Sequence, residues 1–77
     1  MAKLFMLQTA LQNLVITEEA EALGTGWKIT LNNDNILFVD CGDEGFTYKV
    51  YYAAEDQTWS EEEVLETVTE LKELIAC

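Results

Sequence analysis

The 77-residue sequence predicts an α+β domain in the order α-β-β-β-α: a three-stranded antiparallel meander with the N- and C-terminal helices packed on one face. Three observations carry this. Apolar residues recur at helical spacing near both ends of the chain. Between Trp27 and Tyr52 they alternate with polar ones. Turn signals rich in Asn, Asp and Gly cut that middle stretch into three runs. No repeat or linker-like composition interrupts the chain, so residues 1–77 read as one domain.

The first helix is expected over Ala2 to Val15. Leu4, Leu7, Leu11, Leu14 and Val15 form a stripe, widened by Phe5, Met6 and Ala10, with Gln8, Gln12 and Asn13 opposite. Thr17 to Leu23 is rich in Glu and Ala. It reads as a continuation of that helix or as a short second one capped by Thr17, with Gly24 as the stop and Gly24-Thr25-Gly26 as a loop.

Trp27, Ile29 and Leu31 give the first strand one apolar face. Asn32-Asn33-Asp34-Asn35 is a hairpin turn. Ile36-Leu37-Phe38-Val39 is apolar on both faces, which predicts a central strand or one covered on both sides. Gly42-Asp43-Glu44-Gly45 is the next turn. Phe46, Tyr48, Val50 and Tyr52 then alternate with Thr47, Lys49 and Tyr51. This parity turns Tyr48 and Tyr52 toward the core and leaves Tyr51 outside.

After a connector over Ala53 to Thr58, Ser60-Glu61-Glu62-Glu63 carries the signature of a capping box. A second helix is expected from Ser60 onward. Trp59 would staple back onto Val64, and Val64, Val68, Leu71 and Ile75 would form the buried stripe.

Charge limits what such a domain can do. Fifteen Asp and Glu face four Lys, with no Arg and no His, for a net charge of −11. The resulting field repels nucleic acid and anionic membranes and attracts cationic surfaces. An apolar fraction of 49% is too high for a disordered acidic tail. No run approaches the roughly 20 apolar residues of a membrane span, and the N-terminal apolar stretch is broken too early by Gln8 and Thr9 for an export signal. Two cysteines make no disulfide scaffold and suggest a reduced, cytoplasmic protein. Cys41, within an apolar stretch, is expected in the core, and Cys77 as a free thiol.

Catalysis is not expected. The chain offers no His for proton transfer, no Arg to clamp an oxyanion and no phosphate-cradling loop. Cys41 has no histidine to activate it. No cofactor is implied. Asp40-Cys41-Gly42-Asp43-Glu44-Gly45 mixes carboxylates and glycines but lacks the spacing of a calcium loop, and ordinary turn chemistry accounts for it.

The candidate site is therefore an anionic docking surface. Glu62, Glu66, Glu70 and Glu73 would lie in one row on the C-terminal helix, with neighbours about 5–6 Å apart, a scale similar to the phosphates of a nucleic-acid strand. Asp34, Asp40, Asp43 and Glu44 add charge on the turns, and Glu18, Glu19 and Glu21 on the connector after the first helix. Tyr51 on the outer sheet would contribute an aromatic contact. Lys28 and Lys49 are too few to make the sheet a nucleic-acid platform.

In size and charge the chain resembles the small acidic inhibitors encoded by phages and mobile elements, some anti-CRISPR proteins among them. That likeness implies an inhibitor whose carboxylates imitate phosphates on a basic, nucleic-acid-handling protein such as a nuclease. Two other readings stay open: an immunity-type or adaptor module for some other basic protein surface, and a structural homodimer paired through the first helix or an edge strand.

Overall fold

The computed structural model describes residues 2–43 and 45–76, the first three of them by backbone alone. Helix α1 spans Ala2–Ile16. Five strands follow, β1 (Ala20–Leu23), β2 (Gly26–Thr30), β3 (Ile36–Gly42), β4 (Gly45–Tyr51) and β5 (Glu63–Leu65), and then helix α2 (Val68–Ala76). The sheet is an antiparallel meander in the order β1-β2-β3-β4-β5, so the doubly apolar β3 is its central strand. The class is α+β as expected, but the sheet has five strands rather than three.

The first added strand comes from the stretch read as helix. Helix α1 ends in a Schellman motif: the Glu19 N–H donates to the Leu14 carbonyl at 2.8 Å, and the Glu18 N–H donates to that of Val15 at 3.1 Å. Glu18 takes the left-handed conformation this requires, with φ 66°. Three glutamates close together at the negative end of the helix dipole disfavour its continuation. The chain instead enters β1, which pairs Glu21 opposite Lys28. Gly24 and Thr25 make a two-residue hairpin to β2, and Gly24 at φ 57° supplies the positive φ that a type II′ turn needs first. Gly26 is fixed by crowding: a Cβ there would lie 2.5 Å from the Val39 carbonyl oxygen.

The second added strand replaces the first half of the expected C-terminal helix. Trp59 pairs with Tyr51, and Ser60 pairs with Val50 through its backbone N–H at 2.8 Å. Its hydroxyl accepts the Val50 N–H, also at 2.8 Å, so Ser60 serves the sheet and caps no helix. The register of β5 then runs Tyr48↔Glu63 and Phe46↔Leu65, one residue longer than the Ser60 pairing would give. That extra residue is a bulge opposite Lys49. It lets Trp59 share the face of Tyr51 while Leu65, six residues on, turns to the buried face. The N-cap of α2 is Thr67: the Glu70 N–H donates to Thr67 Oγ1 at 3.1 Å, and that hydroxyl donates to Glu70 Oε1 at 3.3 Å.

By register, Ile29, Leu31, Leu37, Val39, Phe46 and Leu65 share one face of the sheet. They form a single cluster with Leu7 and Leu11 of α1 and Leu71 of α2, while Leu14, Val68, Leu74 and Ile75 pack at its margin. Burying each such side chain is worth roughly 1.5–3 kcal/mol against exposure. Asn35 is the one buried polar side chain among the described residues. Its Oδ1 accepts the Ala54 N–H at 3.3 Å, tying the β2–β3 turn to the loop after β4. Cys41 has the parity of the helix-covered face but lies exposed near the end of β3, so it is not a core residue. Cys77 lies outside the described residues.

Candidate functional site: an aromatic face on the open side of the sheet

Both helices pack on one side, so the other side of the sheet faces solvent. Its side chains fall into three rows across the strands. The first runs Thr30, Ile36, Tyr51 and Trp59. The second runs Glu21, Lys28, Phe38 and Lys49, reaching the bulge at Glu61 and Glu62. The third runs Leu23, Gly26, Asp40, Thr47 and Val64. Trp59 is 50% exposed and Val64 62%. Val64 therefore sits on an open strand rather than in a helical stripe, and Trp59 is no staple for it.

Aromatic rings mark the centre of this face. The Trp59 ring lies 4.9 Å from that of Tyr51 and 5.1 Å from that of Phe38, tilted by 48° and 49°. Such pairs add about 0.5–1.5 kcal/mol each beyond their burial. The Lys49 ammonium sits 4.8 Å from the Trp59 ring centroid, a cation–π contact. Beside the rings runs a shallow groove of about 220 Å³, bounded by Leu23, Phe38, Asp40, Thr47, Lys49 and Glu62. Asp40 is held in place: its Oδ1 accepts from the Thr25 hydroxyl at 2.9 Å and from the Cys41 N–H at 3.0 Å.

The carboxylates expected in one row are dispersed. Glu62 lies in the extended lead-in to β5 and lines the groove of the open face. Glu66 lies between β5 and α2, exposed, and Glu73 is exposed on α2. Glu70 is half-buried and engaged in the cap. The helical ridge does not form because α2 starts only at Val68. In a helix, Glu62, Glu66 and Glu70 would repel at each i, i+4 step by roughly 0.2–0.5 kcal/mol, whereas the strand spreads them apart. Asp43 is exposed in the β3–β4 turn, at a separate shallow depression with Phe46 and Val64. Glu44 lies outside the described residues.

Of the residues picked out from sequence for the anionic surface, Tyr51, Glu62, Asp40 and Glu21 fall on the open face. Phe38, Trp59 and Lys49 complete it. The signal for Phe38 was the run of four apolar residues in a chain whose two helices can cover only one side. Tyr48 belongs to the opposite face, where its hydroxyl donates to Glu63 Oε2 at 3.1 Å. Burial, then the hydrogen bond and negative charge of Glu63, push the phenol above its ordinary range.

Among the described residues no three His, Cys, Asp or Glu side chains gather as metal ligands, and no helix is long and apolar enough to cross a membrane. No protein family, curated protein or solved structure matches the chain.

Proposed function

We propose that this chain is a small acidic binding protein. It docks a basic protein on the open face of its sheet, through Phe38, Tyr51 and Trp59. The observation that supports this best is an uncovered aromatic cluster on a molecule of net charge −11. Large, rigid rings at low side-chain entropy are what the energetic centres of protein interfaces use. The surrounding carboxylates steer a cationic partner toward them and speed association.

Nucleic acid itself is a poor occupant, because Lys28 and Lys49 are the only cations in the rows of this face and the whole molecule carries a net charge of −11. With the carboxylates spread over strand, turn and helix, a ruler of phosphate spacing is not needed. An adaptor or immunity-type module for a basic surface fits as well as an inhibitor that displaces nucleic acid, and the partner's identity separates the two.

The test is capture from host lysate at low salt, comparing wild type with Trp59→Ala, followed by challenge with duplex DNA. The expected result is a basic protein retained by wild type and lost with Trp59→Ala. Release by DNA marks an inhibitor that occupies a nucleic-acid site, and indifference to DNA marks an adaptor. A partner held equally by both proteins would refute docking on the aromatic face.

A further inference from the structure

We infer that the Trp59–Phe38 platform is a receptor for an arginine side chain of the protein partner, and that Lys49 occupies it in the free protein as an internal stand-in. The inference rests on the binding role proposed above and specifies the chemistry of its contact. The position of Lys49 is the starting observation: a cation already lies against the Trp59 ring, 4.8 Å from its centroid. The ring is half exposed, so it can receive a ligand without any part of the core moving. Phe38 lies 5.1 Å from it, a second π surface at an angle of 49°. Two carboxylates, Asp40 and Glu62, border the groove that Phe38 and Lys49 also line. Asp40 keeps one oxygen occupied by Thr25 and Cys41, which fixes the side chain while its second oxygen can accept another donor.

This combination favours arginine. A guanidinium is planar, stacks on aromatic faces and is more weakly hydrated than an ammonium, while its edge donates to carboxylates in paired hydrogen bonds. Lys49 can satisfy the ring but presents a compact, strongly hydrated charge. An incoming arginine would trade one cation–π contact for another and add the carboxylate bonds. Lys49 therefore acts as a competitor. Removing it should strengthen binding of the external cation at this position, beyond the general gain from one more unit of negative charge.

The probe is a blocked pentapeptide with two arginines, compared with its citrulline twin, which keeps the shape and loses the charge. Binding is followed by NMR through the indole N–H of Trp59. The arginine peptide should shift that signal saturably, and the citrulline peptide should not. Lys49→Gln should tighten binding about two- to fivefold, the scale of one exposed cation–π contact. Lys72→Gln, an equal change of charge on α2, should change it less than twofold. Trp59→Phe, which keeps an apolar ring with a weaker π face, should weaken it.

Equal tightening by Lys49→Gln and Lys72→Gln would overturn the inference, because bulk charge alone would then explain the affinity. A response of the Trp27 indole in place of Trp59 would overturn it too. The two proposals fail separately. If the peptide behaves as expected while the lysate yields no basic protein, the arginine site stands and the wider function falls. If a basic partner is captured through Trp59 but the arginine and citrulline peptides behave alike, the docking face stands and the arginine site falls.

Discussion

Glu18 shows how one backbone angle redirects the chain. By composition, Thr17 to Leu23 favours helix, yet Glu18 sits at φ 66° and closes α1 with two C-terminal hydrogen bonds. A left-handed angle costs a side-chain-bearing residue roughly 1–2 kcal/mol, and only glycine escapes it. Glu18→Gly should therefore stabilise the protein by about 1 kcal/mol and raise Tm by about 4–8 °C. Glu18→Gln separates strain from charge, since it keeps the Cβ and removes the carboxylate. Thermal melts by circular dichroism decide: a gain from Gln equal to that from Gly would assign the effect to charge and refute strain at this position.

The elements differ in how far their sequences revealed them. α1, the β2–β3 hairpin and β4 were legible because Leu7, Leu11, Ile29, Leu37 and Phe46 sit at the period of the surface they cover. β5 and the start of α2 were not. Residues 60–70 carry two separate Ser/Thr-x-x-Glu signatures, at Ser60 and at Thr67, and local chemistry alone ranks them equally. Tertiary pairing separates them, because only the later start lets Ser60 pair with Val50 and Leu65 reach the core. The open face was legible at Tyr51 and at the doubly apolar β3, but Trp59 was hidden by a bulge that no sequence period announces. The two signatures make opposite predictions. Thr67→Ala removes the hydroxyl that caps α2 and should cost about 1 kcal/mol, within the usual range of about 0.5–2. The loss should appear as faster amide exchange over Val68 to Leu71 with β4 unchanged. Ser60→Ala should instead expose the Val50 amide. Exchange in α2 that rises with Ser60→Ala and stays flat with Thr67→Ala would place the helix start where the earlier signature puts it.

At the scale of the whole molecule, charge is distributed by region. All fifteen carboxylates lie from Glu18 onward, so helix α1 carries none, and its outer side instead exposes Phe5, Met6 and Ile16. All of this anionic charge sits on a molecule whose Cα radius of gyration is 11.8 Å. Repulsion at that density opposes the compact state, and the unfolded chain relieves it by spreading. Screening therefore favours folding. The Debye length falls from about 30 Å at 0.01 M salt to about 8 Å at 0.15 M, from above the 11.8 Å radius of gyration to below it. Over that interval stability should rise by on the order of 1 kcal/mol, and Tm by about 4–8 °C. The same screening weakens steering of a basic partner, so its association rate should fall while the protein itself grows firmer. Melting and stopped-flow binding across one salt series measure the two effects together. Opposed slopes separate electrostatic recognition from loss of fold. A Tm that stays flat or falls between these concentrations would mean that the carboxylates are too well dispersed to strain the domain, and the steering argument would lose its source.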